Sequence, residues 1–140
     1  GFLVTKIKQL GDRIFERILA EKNIDAFNGA QGRILYVLWQ EDGVPIKIIS
    51  EKSGLAITSP TTMLERMEKN GLISRKTDEA DKRKTLLFLT DKAKELKEAY
   101  DSVSNEMGNI YYRDFTDKEI LQFEEYLNRI RVNLEEWSDK

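Results

Sequence analysis

The chain has 140 residues, a formal net charge of −2 and 34% charged residues, which suits one soluble, cytoplasmic domain spanning 1–140. It contains no cysteine and no histidine, which excludes disulfides, thiol chemistry, imidazole metal ligands and histidine acid–base catalysis. No apolar run approaches the roughly 20 residues that cross a bilayer, so we expect no membrane association. We also expect no catalytic site, no metal site and no cofactor.

The first third of the chain predicts two helices. Apolar residues recur at steps of three and four from the start: Leu3, Ile7, Leu10, Ile14 and Ile18. That spacing is one stripe of an amphipathic helix. Asn28 is a plausible N-cap for a second helix that contains "GRILYVLW" and is apolar nearly all round, as a central buried helix is. The segment "EDGVP" then ends this helix.

The middle of the chain predicts a tight pair of short helices. The first of them is closed by Gly54, because glycine readily adopts the left-handed conformation that ends a helix. Ser59 can cap the next helix, and Pro60 suits its first position, where a missing N–H costs nothing. Gly71 marks its end, so this helix should occupy about 60–70.

A β hairpin should follow, and it is the only β structure that the sequence predicts. The segments "LISRKT" and "TLLFLT" are strand-like, and the polar segment "DEADKRK" separates them. Thr90 should then cap one long helix with a heptad-like apolar seam over 93–110. The segment "FTDKEI" is a capping box in which Thr116 caps and Glu119 reaches back, and it starts the last helix.

Two short helices followed by a hairpin are typical of a winged helix-turn-helix, in which the second helix enters the DNA major groove. We therefore predict a mainly α fold with a small β hairpin wing, with the winged part over 28–92 and helical parts over 1–27 and 93–140. Lysines and arginines outnumber acidic residues by three between Gln31 and Lys97, although the whole chain is acidic. This bias is compatible with a polyanionic partner.

The sequence also resembles a known family, the MarR (multiple antibiotic resistance regulator) transcription factors. Three segments carry the resemblance: "GRILYVLW", "GLAITSPTTMLERMEKNGLISR" and "DEADKRKTLLFLTDKAKEL". The resemblance implies a sequence-specific regulator of transcription that binds double-stranded DNA. Its recognition helix, at about 59–70, would enter the major groove, and its wing, at about 72–90, would enter the minor groove. A repressor is the expected form, and the operator should be pseudo-palindromic.

The resemblance also implies roles for residues of the wing tip. Arg83 matches the arginine that enters the minor groove, with Lys82 and Lys84 available to phosphates. Asp81 resembles the residue that orients this arginine through a charge-assisted hydrogen bond. Taken alone, the same residues would also be typical of a solvent-exposed loop that is polar for solubility and has no DNA contact.

Candidate DNA contacts on the recognition helix are hydroxylated or cationic: Thr58, Ser59, Thr61, Thr62 and Arg66. Small hydroxyl residues at a helix N-terminus can meet phosphates or base edges, although Ser59 would equally serve as a cap alone. Arg75 is expected to contact phosphate, or else to pair with Asp78 or Glu79.

The flanking helices leave apolar stripes that a monomer of this size would not cover, and members of the resembled family are homodimers joined by these helices. Members also bind small effectors, often aromatic or anionic. Aromatic residues that could line such a pocket, or simply form core, are Phe15, Phe27, Tyr36, Trp39, Tyr100 and Tyr111. Two alternatives remain: a winged-helix module that binds protein instead of DNA, and a hydrolase that uses carboxylates.

Overall fold

The computed structural model describes residues 1–57 and 62–140, and over these residues the fold is mainly helical with one small antiparallel sheet. This agrees with the predicted fold class. The predicted cap and first turn of the recognition helix, at Ser59 and Pro60, lie outside the described residues. The chain forms two compact units, Gly1–Met107 and Gly108–Lys140.

The helices and strands follow in this order along the chain: α1 Phe2–Glu21, α2 Gly29–Gln40, β1 Val44–Pro45, α3 Ile46–Ser53, α4 Thr62–Lys69, β2 Ile73–Thr77, β3 Thr85–Leu89, α5 Asp91–Lys94, α6 Lys97–Tyr111 and α7 Asp117–Ser138. The strand order in the sheet is β1–β3–β2, and both pairings are antiparallel. Among the described residues, no helix is both long enough and apolar enough to span a bilayer.

Helix α2 is the centre of the first unit, as its apolar sequence predicts. Its N-cap is Asn28, whose side chain accepts from the backbone N–H of Gln31 at 2.8 Å, while Gln31 Oε1 accepts from the Asn28 N–H at 3.0 Å. These reciprocal bonds satisfy donors that a helix start leaves free. Ile34, Leu35 and Leu38 of this helix are buried and join the main core.

The first strand is a feature that the sequence analysis missed. Val44 lies opposite Leu87 and Pro45 opposite Leu86, which makes β3 the central strand of three and not one arm of an isolated hairpin. Two residues are too few to show an alternating pattern. Proline lacks an N–H and is confined to edge strands and strand ends, where Pro45 lies.

The single long helix predicted after Thr90 is wrong, because the structure has two helices there. Thr90 does cap, since its hydroxyl accepts from the Ala93 N–H at 3.2 Å. Helix α5 stops at Lys94, however, and the Ala93 carbonyl accepts from the Trp39 indole N–H at 3.1 Å. In an unbroken helix that carbonyl would serve the N–H of Lys97. The same carbonyl also accepts from the Leu96 N–H at 3.1 Å, so the turn that ends α5 and the α2 side chain share one acceptor.

The recognition helix α4 is anchored by its inner face. Leu64 and Met67 are fully buried, as the sequence spacing predicts, and Gly71 ends the helix with φ of +74°. A residue with a side chain would be strained in that conformation. Strand β2 begins two residues later, so the helix and the wing are joined by a very short connection.

The second unit contains the last residues of α6 and all of α7. The predicted capping box is confirmed: the Glu119 N–H donates to Thr116 Oγ1 at 3.1 Å, and the Thr116 N–H donates to Glu119 Oε1 at 2.9 Å. Within the unit, the ring of Tyr112 lies 5.8 Å from Phe115 and 6.3 Å from Phe123 between centroids. No residue of α7 is buried within the described chain.

Candidate nucleic-acid interface

The wing is a regular hairpin with an ordered tip. Five residues of β2 pair with five of β3, and the pairing continues into the tip through the Asp78 N–H, which donates to the Lys84 carbonyl at 3.0 Å. The Lys84 N–H in turn donates to the Asp81 carbonyl at 2.9 Å, which closes a tight turn. Leu87 of β3 is fully buried and fixes the base of the hairpin in the core. The tip is thus held by backbone bonds at one end and by packing at the other.

Arg83 and Asp81 form a charged pair at this tip. The Arg83 guanidinium donates from Nε to Asp81 Oδ1 at 3.0 Å and from Nη2 to Oδ2 at 3.2 Å, and the Arg83 backbone N–H donates to Oδ1 at 3.1 Å. The Arg83 side chain is nevertheless 90% exposed. These hydrogen bonds from Arg83 hold the pKa of the Asp81 carboxyl below its usual range. The pair therefore presents an exposed cation in a fixed orientation.

Lys82 and Lys84 flank Arg83 and are both exposed. Three consecutive cations thus cover the end of the hairpin. The three positive charges repel one another. They are stabilised beside a polyanion such as DNA, whose condensed counterions they displace.

Arg75 is engaged within the protein. Its Nη2 lies 2.9 Å and its Nε 3.2 Å from Glu68 Oε1, so a residue of β2 is bonded to a residue of α4. The predicted pairing with Asp78 or Glu79 is wrong. Asp78 lies beyond the end of β2, where its Oδ1 accepts from the Ala80 N–H at 2.9 Å.

The outer face of α4 presents polar groups. Thr62 and Arg66 are both exposed and, four residues apart, lie on the same side of the helix. Lys69, a further three residues along, is exposed on this side too, although the sequence analysis did not name it as a contact. Its spacing from Arg66 could have indicated it. The candidates Thr58, Ser59 and Thr61 lie outside the described residues.

Two further contacts bind the end of α4 to the base of the wing. Thr90, directly after β3, donates its hydroxyl to the Gly71 carbonyl at 2.6 Å. Lys92 donates from Nζ to the Asn70 carbonyl at 3.1 Å, and the negative end of the α4 dipole also stabilises a cation there. Together with the Glu68–Arg75 pair, these contacts hold α4 and the wing as one body. Such a body can present its helix and its cationic tip to one ligand at a fixed separation.

Five of the six aromatic residues named as a possible pocket lining are brought together, with Tyr100 at the centre. Centroid distances from its ring are 5.9 Å to Phe15, 5.7 Å to Tyr36 and 5.4 Å to Trp39. Phe27 also belongs to this aromatic cluster, at 6.1 Å. Burial raises the pKa of the Tyr100 phenol, so the hydroxyl stays neutral over the physiological range. The sixth residue, Tyr111, belongs to the second unit.

Helices α3 and α4 with the hairpin β2–β3 define a winged helix-turn-helix protein. Residues 27–85 match the family model described as the MarR family. These residues contain α2, the helix-turn-helix and the wing as far as the start of β3. Over this segment the chain is therefore similar to the MarR family, in agreement with the sequence resemblance.

Two curated relatives that the chain resembles are also transcriptional regulators. The chain is 35% identical over 77 residues to the HTH-type transcriptional regulator TtmR of Methylorubrum extorquens, covering 55% of this chain and 40% of that protein. It is 41% identical over 64 residues to the organic hydroperoxide resistance transcriptional regulator of Bacillus subtilis, covering 46% of this chain and 44% of that protein. The matches thus span less than half the length of these curated relatives.

The fold has close counterparts among solved structures. A mutant MarR from E. coli, solved in complex with operator DNA, superposes with a TM-score of 0.80 at 21% identity, covering 93% of this chain and 91% of that one. At this level of identity the likeness establishes the fold.

Proposed function

We propose that the protein is a homodimeric, sequence-specific regulator of transcription that binds double-stranded DNA. The recognition helix, at about 59–70, enters the major groove, and the wing, at about 72–90, enters the adjacent minor groove. The observation that carries the proposal is Arg83, which is exposed, oriented by Asp81 and mounted on the same body as α4.

The physical fit of the wing tip to DNA supports this assignment. A narrow minor groove concentrates negative potential, and an arginine is the side chain most often placed there. The cations at positions 82 and 84 are suited to the phosphates on either side. Arg66 of α4 can read guanine or bind the backbone, since its guanidinium is exposed on the outer face.

Exposed apolar faces on the two flanking helices support a homodimer. At the start of α1, Phe2 is 96% and Leu3 72% exposed, while in α7 Ile130 is 54% and Leu134 66% exposed. In α7 the apolar residues recur at alternating steps of three and four: Ile120, Phe123, Leu127, Ile130, Leu134 and Trp137. This is the heptad spacing of a helix that packs against another helix. A two-fold dimer would bind a pseudo-palindromic operator with half-sites roughly 34–36 Å apart.

The aromatic cluster around Tyr100 is the proposed place for a small effector, aromatic or anionic, which would make the protein a ligand-responsive repressor. An effector there would act by favouring one of two arrangements that fit DNA differently. We propose that this regulator acts in the cytoplasm and has no enzymatic activity.

The experiment that tests the function uses the whole chain and DNA fragments from its source genome. Fragments retained by the protein are sequenced, and the recovered sites are then titrated at about 50 and 200 mM salt. We expect a shared pseudo-palindrome and binding that weakens steeply with salt. A protein-binding module would give no DNA complex at either salt concentration, and that result would refute the proposal.

A further inference from the structure

Arg33 of α2 is a half-buried cation that bonds to the end of another helix. Its Nη2 donates to the carbonyl of Ser53, the last residue of α3. The next residue, Gly54, has φ of +71°, and a Cβ at Gly54 would lie only 2.9 Å from the same Nη2. The guanidinium is thus packed directly against the turn that leaves α3. The negative end of the α3 dipole also stabilises a cation at this position.

The described part of this turn is held mainly by side chains. Ser50 Oγ donates to the Leu55 carbonyl at 2.6 Å and accepts from the Ile57 N–H at 3.4 Å. Ser53 Oγ accepts from the Leu55 N–H at 3.3 Å. Arg33 is the one participant described here that comes from α2 and not from α3 itself. It therefore connects the turn to the centre of the fold.

The same part of α2 carries the aromatic cluster. Next to Arg33 is Gly32, where a Cβ would lie 2.9 Å from Cε1 of Tyr100, so the ring packs directly on the helix backbone. The positive charge of Arg33 also acts on this phenol: it lowers the pKa of Tyr100, although burial raises that pKa by more. Arg33 thus lies between the aromatic cluster and the turn.

We propose that Arg33 is a positioning residue that fixes the turn from α3 towards the recognition helix and connects that turn to Tyr100. It acts through the Ser53 carbonyl and through contact with Gly54, and it does not bind DNA itself. The part of this role that concerns DNA depends on the proposed function. The restraint on the turn does not depend on it.

The first test measures amide hydrogen exchange in the free protein. Arg33→Gln keeps a polar side chain but removes the charge and the fork of donors. We expect exchange at the Leu55 and Ile57 amides to accelerate by about tenfold, the amount that loss of one charged hydrogen bond supports. Arg33→Lys should restore part of the protection. The matched control is Arg17→Gln, which removes an exposed arginine whose partner is Glu21 in α1 and should leave both amides unchanged.

A second readout separates this role from general loosening. Carbon-13 NMR of the tyrosine rings should show a higher pKa for Tyr100 in Arg33→Gln, because the cation that favours the tyrosinate is gone. If neither the turn amides nor the Tyr100 titration changes in Arg33→Gln, the proposal is wrong.

DNA binding gives the third readout. We expect Arg33→Gln to weaken operator binding by about tenfold with an unchanged slope of log affinity against log salt, since no phosphate contact is lost. A slope that falls by about 0.9 would make Arg33 a phosphate ligand and overturn the proposal. If the parent protein binds no DNA, the proposed function fails, and the exchange and titration results decide the role of Arg33 on their own.

Discussion

The carboxylate of Asp81 accepts two hydrogen bonds from the guanidinium of Arg83, at 3.0 and 3.2 Å, while the Arg83 side chain remains 90% exposed. An exposed arginine is normally mobile and loses rotamer freedom when it binds. The pair restricts Arg83 before any ligand arrives, so less entropy is lost on binding. This relationship is what makes the wing tip suitable for a narrow groove.

Replacement of Arg83 should weaken DNA binding without unfolding the protein. We expect Arg83→Ala to reduce operator affinity by about 1–3 kcal/mol, the range for one specific arginine contact, because the exposed side chain supports no core. Fluorescence anisotropy measures the affinity, and thermal unfolding checks the fold. Arg113→Ala is the matched control, since Arg113 is an exposed arginine of the second unit. Equal affinities for Arg83→Ala and the control would refute the role of Arg83.

The Asp81–Arg83 pair has a consequence for pH. Because hydrogen bonds from Arg83 lower the folded pKa of Asp81, the pair is complete above the ordinary carboxyl pKa and is lost only as pH falls through the lower folded value. Carbon-13 NMR of the Asp81 carboxyl should therefore show titration at a lower pH in the parent than in Arg83→Ala. Identical titration curves in the two proteins would mean that the pair does not persist in solution.

Glu68 should restrain DNA binding, because it holds Arg75 within the protein and places an anion beside the proposed interface. We expect Glu68→Gln to free Arg75, strengthen binding and steepen the log–log salt slope by about 0.9 for the one extra phosphate neutralised. Glu136→Gln makes the same change of charge at an exposed position of α7 and serves as control. Weaker binding in Glu68→Gln would instead show that the pair is needed to hold the wing beside α4.

What the sequence predicted well is local in the chain. The caps at Asn28, Thr90 and Thr116 depend on bonds that span three residues, so a short pattern contains the whole interaction. At the break after Lys94, the Ala93 carbonyl accepts from an indole 54 residues away, and no local pattern carries that information. The same reason hid the pairing of Arg75 with Glu68, whose geometry follows from how β2 packs beside α4.

Strand β1 was missed for a different reason. Its two residues form a strand only because β3 offers a free edge opposite Val44 and Pro45. The Asp81–Arg83 contact, in contrast, spans two residues, and the wing motif pointed to it directly. The DNA-contacting roles of all these side chains stay predictions.

A charge in the apolar seam of α7 should prevent dimerisation. We expect Ile130→Glu to yield a folded monomer with much weaker operator binding, since two linked half-site contacts become one. Light scattering after size-exclusion chromatography gives the mass, and circular dichroism checks the helices. Asn128→Glu introduces the same side chain about 160° around α7 and should stay dimeric. A dimer for Ile130→Glu would exclude this seam as the interface.

Trp39 should matter for the local structure between α5 and α6 as well as for stability. In Trp39→Phe the indole N–H is lost, which leaves the Ala93 carbonyl with the Leu96 N–H at 3.1 Å and with capacity to accept from the Lys97 N–H, as in a regular helix. We expect the free energy of unfolding to fall by at least about 1 kcal/mol, from the lost hydrogen bond, and the Lys97 amide to exchange more slowly. Arg113→Ala, at an exposed residue of the second unit, should change neither quantity appreciably. If the Lys97 amide were unaffected in Trp39→Phe, the indole would not be the cause of the break, and the Leu96 N–H, which donates to the same carbonyl at 3.1 Å, would be sufficient to hold the turn.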